Sequence, residues 1–496
     1  MSTTYSPSGV KTKVFTYEEF MGLDASRDKT ALDTGEKQHL VGLKNGYADW
    51  RGIIVRDPGA NQRIVSDKSV KHITFFGRDL VCWAQREGGG MTLNSDRGHA
   101  VIDAYPRDNR VTSTVFNKQV IFASREQEMY QYNGYLWYKN EAPSKPSPAY
   151  VTSIQRRLVI AGLPGQHTVV ELSRVDDETI FPADEDIAST AVTKASDLDV
   201  TNLIGTSDEI RGLGVFETNR LVVFTHDKGV VYTIDPDYSK WALDEKSSVN
   251  VGTISHNTIA TAGADMLFCS RDGVHSLRRS DANGIMIYTI PMSSKIDLTY
   301  RELLRSVADH EDITAYYDQD NGQYHIFFPQ SEMLCTRLTL TLNPIEGGES
   351  KWSTSDFLNA GCGATLGGVT VLGTPGGVWN RLQIEDSAKA NPTMTVTTPI
   401  LWQGALNLTK ESFSFVLQAA GKGEIQVEAF DEKGRYLSSM QFSIEEDSKD
   451  DSFPDVPLYR QYERKFEHRY RGCQFRFTTK GSGLLKIIGF AVIVRS

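Results

Sequence analysis

Hydrophobic residues along most of this 496-residue chain fall in short unbroken runs, each introduced by two or three polar or turn residues. The phrase reads Arg78-Asp79-Leu80-Val81-Cys82-Trp83, then Lys118-Gln119-Val120-Ile121-Phe122, then Arg156-Arg157-Leu158-Val159-Ile160. It returns as Asn219-Arg220-Leu221-Val222-Val223-Phe224, Ala264-Asp265-Met266-Leu267-Phe268, Gly322-Gln323-Tyr324-His325-Ile326-Phe327-Phe328 and Gly367-Gly368-Val369-Thr370-Val371-Leu372. The intervals are roughly 40 to 60 residues, the length of a propeller blade with loops of uneven size. Four apolar residues without alternation fit a strand covered on both faces, as in a sheet stacked between neighbouring blades. Several runs pass through a glycine into a second strand, as at Gly229-Val230-Val231-Tyr232, Gly273-Val274-His275-Ser276-Leu277 and Gly377-Val378-Trp379. Glycine permits the tight turn this requires.

Turn dipeptides at Asn45-Gly46, Asn133-Gly134, Asn283-Gly284 and Asn321-Gly322 bound further strand-like runs,. Helical periodicity is weak, and its best stretch, 300–307, predicts one short helix or turn on a loop. The last hundred residues change pattern. Phe413, Phe415 and Leu417 alternate, as do Ile425, Val427 and Ala429, then Phe442 and Ile444, then Cys473, Phe475 and Phe477. Period-two alternation marks antiparallel strands with one buried face. The first sixty or so residues are polar and turn-rich, without a core of their own. The expected fold is all-β: an N-terminal arm or platform segment (1–65), an irregular β-propeller (66–385) and a C-terminal antiparallel β-sandwich platform domain (386–496). The propeller-to-sandwich boundary is expected near Asp386-Ser387-Ala388-Lys389-Ala390-Asn391-Pro392.

Composition removes several function classes. A net charge of −10 opposes tight nucleic-acid binding, which needs clustered Lys and Arg. The acidic run 445–451 reads as a solvated hairpin loop. No stretch approaches the roughly 20 apolar residues of a membrane span, and the N-terminus lacks signal-peptide character. Cys82, Cys269, Cys335, Cys362 and Cys473 are odd in number and widely spaced, which predicts free buried thiols in a reducing compartment. Neither CxxC nor clustered His/Cys spacing points to zinc.

Catalytic signatures are missing too: no GxSxG elbow, P-loop, HExxH or dinucleotide-binding glycine pattern occurs. Gly88-Gly89-Gly90 and Gly376-Gly377 read as blade turns. His275 and His325 lie inside strand phrases and read as packed or surface imidazoles. The carboxylate groups Asp176-Asp177, Asp184-Glu185-Asp186 and Asp318/Asp320 have the residue types of a glycosidase acid–base pair, but loops rich in acids are common. Ser270-Arg271-Asp272-Gly273 falls short of the sialidase propeller repeat: its glycine comes one place early and no Trp follows. Asn407-Leu408-Thr409 matches a glycosylation sequon by chance. The expectation is a protein with no catalytic residues, no cofactor and no metal.

The order of phrases resembles the tail hub, or nozzle, proteins of short-tailed bacteriophages. Near the start, Gly22-Leu23-Asp24-Ala25-Ser26-Arg27-Asp28, then Asn45-Gly46, then Arg51-Gly52-Ile53-Ile54-Val55-Arg56-Asp57-Pro58-Gly59 is similar to the opening of that family. Glu171-Leu172-Ser173-Arg174-Val175-Asp176-Asp177-Glu178 looks like its Ser-x-x-Asp-Asp-Pro loop, without the proline. Leu213-Gly214-Val215-Phe216 onward to Ile234 resembles its most typical blade. So does Gly252-Thr253-Ile254-Ser255-His256-Asn257-Thr258 leading to Ser270-Arg271-Asp272-Gly273-Val274. Ser350-Lys351-Trp352-Ser353-Thr354 and the closing stretch from Phe475-Arg476-Phe477 to Ile488-Gly489-Phe490 resemble late features.

The resemblance covers nearly the whole chain and rests on the order of its motifs. It implies a structural virion protein: a homo-oligomeric ring, typically of six copies, below the portal and its adaptor or head-completion protein, with tail fibres or tailspikes nearby. Such a ring retains packaged double-stranded DNA and conducts it during ejection without binding it specifically. It implies residence in the virion tail after synthesis in the host cytoplasm. The polar first sixty residues and the loop between Val175 and Ile210 are the segments expected to reach a neighbour. The competing readings are a propeller enzyme acting on polysaccharide and a scaffold propeller that binds a partner.

Overall fold

The computed structural model describes residues 3–5, 11–32, 38–65, 69–85, 91–95, 98–102, 110–125, 127–185, 192–205, 207–245, 248–263, 265–279, 286–288, 291–344, 349–381, 390–404, 408–445, 459–481 and 483–495. Five antiparallel sheets each take four strands in sequence order. Blade 1 is Val70–Phe76, Asp79–Gln85, Met91–Ser95 and Gly98–Ile102. Blade 2 is Thr112–Phe116, Gln119–Ala123, Tyr130–Tyr132 and Trp137–Lys139. Blade 3 is Tyr150–Ile154, Arg157–Leu163, Gln166–Leu172 and Ser196–Asp199. Blade 4 is Ile210–Phe216, Arg220–Thr225, Gly229–Thr233 and Ala242–Leu243, and blade 5 is Ala260–Ala262, Asp265–Cys269, Val274–Arg279 and Met286–Tyr288.

Two further four-stranded units complete the ring. Blade 6 is Thr314–Asp318, Gln323–Ser331, Leu334–Thr341 and Lys351–Ser355. Blade 7 has three consecutive strands, Cys362–Leu366, Val369–Thr374 and Gly377–Arg381, and its fourth is Ala60–Val65 from far upstream. The first strand of every blade packs against the first strand of the next, and that of blade 7 returns to blade 1. These seven strands therefore line the axis. Each apolar phrase of the sequence is the second strand of one blade. Its apolar residues are buried, as at Leu80, Val81, Leu158, Val159, Val222, Phe224, Leu267, Ile326 and Val371, with Val369 at the start of the seventh an exposed exception. That is what a strand between two stacked sheets requires.

The sandwich is the second core. One sheet runs in the order Thr3–Tyr5, Lys11–Tyr17, Leu485–Arg495, Lys410–Gly421, Arg460–Lys465. Phe415, Phe475, Phe477 and Phe490 meet between the layers, with Phe415 and Phe490 stacked at 5.5 Å. The other sheet does not stop at the sandwich. From Tyr436–Ile444 it passes through Gly423–Asp431, Cys473–Lys480 and Thr395–Thr397 to Gly42–Lys44, and from there joins the outer strand of blade 6. The two bodies thus share one nine-stranded sheet.

The N-terminal segment is woven through both. Lys11–Tyr17 adds to the sandwich, Gly42–Lys44 bridges the bodies, Ile54–Arg56 pairs with the last strand, and Ala60–Val65 closes the ring. The stretch expected to be a short helix is the α-helix Asp297–Ser306, which buries Tyr300 and Leu304. The loop between Val175 and Ile210 contains the outer strand of blade 3, so part of it is blade wall. Gly88-Gly89-Gly90, Asn283-Gly284, Asp186, Ala264, the acidic run after Glu445, most of the boundary segment 386–392, and Asn407 lie outside the described residues.

Candidate functional site

At the end of the ring where the chain enters the inner strands, charged side chains from non-adjacent blades converge. Glu311 lies in the single 3-10 turn His310–Asp312 leading into blade 6, held by Asp309, whose carboxylate accepts the Glu311 backbone N–H at 3.0 Å. Arg110, just before blade 2, donates to Glu311 at 2.5 Å and to Asp312 at 3.1 Å, and also contacts Asp309. Arg125, after the second strand of blade 2, reaches Glu311 at 3.3 Å, and Arg211 on the inner strand of blade 4 pairs with it directly. Arg211 also pairs with Glu209 at 2.6 Å. One nearly buried carboxylate thus gathers three guanidinium groups, each partly open to water.

Side-chain bonds to backbone carbonyls tighten the same region. Asn257, before blade 5, donates to the Val111 carbonyl at 3.1 Å, and Ser255 donates to the Glu311 carbonyl at 3.0 Å. The Asn257–Val111 link runs across the axis, from blade 5 to blade 2, and Ser255–Glu311 ties the entries of the neighbouring blades 5 and 6; with the Arg110–Glu311 pair, the cross-axis link closes this end of the propeller. Beside them is a cavity of about 300 Å³ with a mixed lining, in which Lys71, Arg110, Glu311 and Glu332 stand with Val70, Val111 and Pro329. A shallower hollow of about 570 Å³ over blades 3 and 4 is lined by His167, Asp208, Glu209, Arg211 and His226.

Two imidazoles here, His256 and His72, are shifted down by burial. His256 Nδ1 accepts the Leu213 N–H at 3.1 Å, and burial, helped by His72, pushes its pKa down to about 3. Burial pushes His72 down to about 4. Both rings are neutral at ordinary pH. The paired guanidinium and carboxylate groups tie blades 2, 4 and 6 together at this end of the axis.

A second ionic cluster is fully buried and joins the bodies. Arg56 donates to the Gly481 carbonyl at 2.8 Å and to the Gly483 carbonyl in a sandwich loop. Its neighbour Asp57 pairs with Arg337 of blade 6 and with Arg381 of blade 7 at 3.4 Å. Arg381 also approaches Asp318 at 3.7 Å and His325 Nε2 at 3.4 Å. The Arg56-Asp57-Pro58-Gly59 motif is therefore a joint. Asn45 supports it: its amide donates to Asp356 at 3.0 Å and to the Thr393 carbonyl at 3.2 Å.

The acids singled out by sequence each have their own partners. Asp176 pairs with Arg156, and Asp177 accepts the Thr179 N–H at 2.9 Å. Asp184 accepts Ser144 Oγ at 2.6 Å, Glu185 pairs with Arg174 at 2.8 Å, and Asp186 lies outside the described residues. Asp318 belongs to the buried joint, whereas Asp320 sits on the adjoining turn. Sequence reasoning passed over Glu171, whose pKa is pushed up to about 7 by burial first and then by Asp197 and Asp184. Asp197 is its cross-strand partner. Among the described residues, no group of three or more His, Cys, Asp or Glu is placed to hold a metal. All five cysteines are buried and free. Among the described residues no helix is long and apolar enough to cross a membrane.

No protein-family model and no curated protein matches the chain. Among solved structures it is similar to YCF48 from Cyanidioschyzon merolae, at 10% identity and a TM-score of 0.37 over 65% of this chain and 98% of that one. It is similar to BamB from Moraxella catarrhalis at 10% identity and 0.36, covering 68% and 89%. An exo-beta-1,3-galactanase from Phanerochaete chrysosporium gives 9% and 0.29, covering 88% and 100%. At such identities and scores these likenesses say nothing of activity, and the propeller stands on its own strand topology.

Proposed function

We propose that this chain is the wall subunit of a short-tailed phage nozzle: a ring of six copies below the portal and adaptor that retains packaged DNA and conducts it at ejection. The observation that carries this reading is the sheet shared by blade 6, the N-terminal strand Gly42–Lys44 and the sandwich. Bonding the two bodies through one sheet and a buried ionic joint makes a stiff slab, the property a channel wall needs. The order of motifs along the whole chain supports the same family.

The charge pattern is compatible. A conduit must not grip phosphates, since each neutralised phosphate holds the duplex back, and a net charge of −10 avoids that. The cross-axis bonds at Asn257 and Arg110 close the propeller's own axis at one end. The DNA path on this reading lies between chains, in the lumen of the ring. Closing a ring needs a heterologous contact, in which each copy offers two different surfaces.

The test is assembly. Purified protein added to portal–adaptor particles emptied of tail parts is expected to cap them and to slow DNA loss. Failure to bind those particles, together with release of reducing sugar from capsular polysaccharide, would replace the nozzle with the enzyme reading.

A further inference from the structure

Edge strands are normally blunted, because a free ladder edge invites pairing with another chain. Most edges here follow that rule. The outer strands of blades 1 to 5 and 7 are two to six residues long. The sandwich edge Arg460–Lys465 carries Arg460, Glu463, Arg464 and Lys465, and five of its six residues are exposed.

Tyr436–Ile444 breaks the rule. It is nine residues long and contains no charge, proline or glycine. Its inner edge pairs with Gly423–Asp431, and among the described residues no strand pairs with its outer edge. Met440, Phe442 and Ile444 point into the core, while Ser439, Gln441 and Ser443 face out. An incoming strand would extend both the ladder and the core face.

The sheet orders say where a complementary edge lies. Arg464 sits over the Phe442 ring at 5.5 Å and Arg460 approaches Glu445 at 3.9 Å, so Tyr436–Ile444 and Arg460–Lys465 share one end of the sandwich. The opposite end of the sheet that contains Arg460–Lys465 is Thr3–Tyr5, whose three residues are uncharged in sequence and which pairs only with Lys11–Tyr17 among the described strands. Two uncharged edges at opposite ends of one body, one long and one short, are the two different surfaces that a head-to-tail contact requires, and such contacts generate rings.

We propose that Tyr436–Ile444 is the acceptor for the N-terminal strand Thr3–Tyr5 of a second copy, added edge to edge by main-chain hydrogen bonds. The inference rests on the ring reading and names the contact that closes the ring. One such contact is small. Repeated around a closed ring it gains from effective concentration, so assembly is sharp in protein concentration.

Disulfide trapping tests it, because all five native thiols are buried and leave little background. A Thr4→Cys chain is mixed with chains carrying Ser439→Cys, Gln441→Cys or Ser443→Cys and oxidised at concentrations where the unmodified protein is imaged by electron microscopy. A covalent dimer in at least one mixture, at tenfold or greater yield over either partner alone, is expected. Dimers from a Ser439→Cys, Gln441→Cys or Ser443→Cys chain alone would mean that two acceptor edges pair with each other, which overturns the proposal. Rings without any mixed cross-link would overturn this contact and leave the nozzle reading standing. Neither rings nor cross-links would overturn both.

Discussion

Asp57 receives two guanidinium groups at a site closed to water, with about 5% of each side chain exposed. Asp57→Ala leaves Arg337 and Arg381 buried without this counter-charge, and a cost of about 3–5 kcal/mol is expected, read as a lower urea midpoint. Glu311→Gln removes a charge whose partners are partly hydrated, so about 1–2 kcal/mol is expected. Glu171 works the other way. Its pKa is raised to about 7 in the fold, so the native state holds the proton better than the unfolded chain. The stability this brings is fully present below about pH 4.5 and lost as pH rises through 7. Glu171→Gln should therefore stabilise the protein at pH 8 by about 1–2 kcal/mol after allowing for solvent screening, and show little effect at pH 4.5.

His325 has the opposite sign again. It is fully buried; its Nε2 faces Arg381 and its Nδ1 bonds Thr339 Oγ1 at 2.9 Å. Burial, then Arg337 and Arg381, hold its pKa well below 6.5. The unfolded chain binds the proton first as pH falls, so stability is complete above about pH 6.5 and declines below it. The decline is at most about 1.4 kcal/mol per pH unit for each such histidine, with His72 and His256 adding to it. Because Glu171 offsets this between pH 4.5 and 7, the clean measurement is the urea midpoint of Glu171→Gln at pH 7 and pH 5. An equal midpoint at the two pH values would contradict the histidine account.

At the scale of elements, the bridging strand Gly42–Lys44 is short but central. Leu43, 1% exposed, plugs the sandwich core at the point where the propeller sheet joins it. Leu43→Ala should cost about 2–5 kcal/mol, measured by thermal or urea unfolding. The second strands were legible in the sequence because two-sided burial writes an unbroken apolar run. Every one of the seven phrases falls on such a strand. The fourth strand of blade 7 was not legible: Ala60–Val65 has a mixed Ala-Asn-Gln-Arg-Ile-Val pattern, and its partner Gly377–Arg381 lies some three hundred residues away. The Glu311 cluster was invisible for a similar reason. Its members sit singly on loops and strand ends, and only ring closure brings Arg110, Arg211 and Glu311 together. Arg56-Asp57 was visible as a motif, but nothing in the pattern told that it bonds both bodies.

At the scale of the molecule, the shared sheet and the buried joint make propeller and sandwich one cooperative unit. A single unfolding transition, seen alike by tryptophan fluorescence and far-UV circular dichroism, is expected. A fragment spanning 66–385 lacks the outer strand of blade 7 and the partner charge Asp57, so it should not fold cooperatively. Two separate transitions in the full chain, or a stable 66–385 fragment, would show that the joint contributes little. The central claim is that several chains together form the conduit. Electron microscopy of the purified full chain over a range of concentrations tests it most directly. Closed rings around an open lumen, with each propeller axis sealed and the sandwiches in contact, are the predicted result. A persistent monomer at high concentration, with or without the portal–adaptor complex, would contradict it.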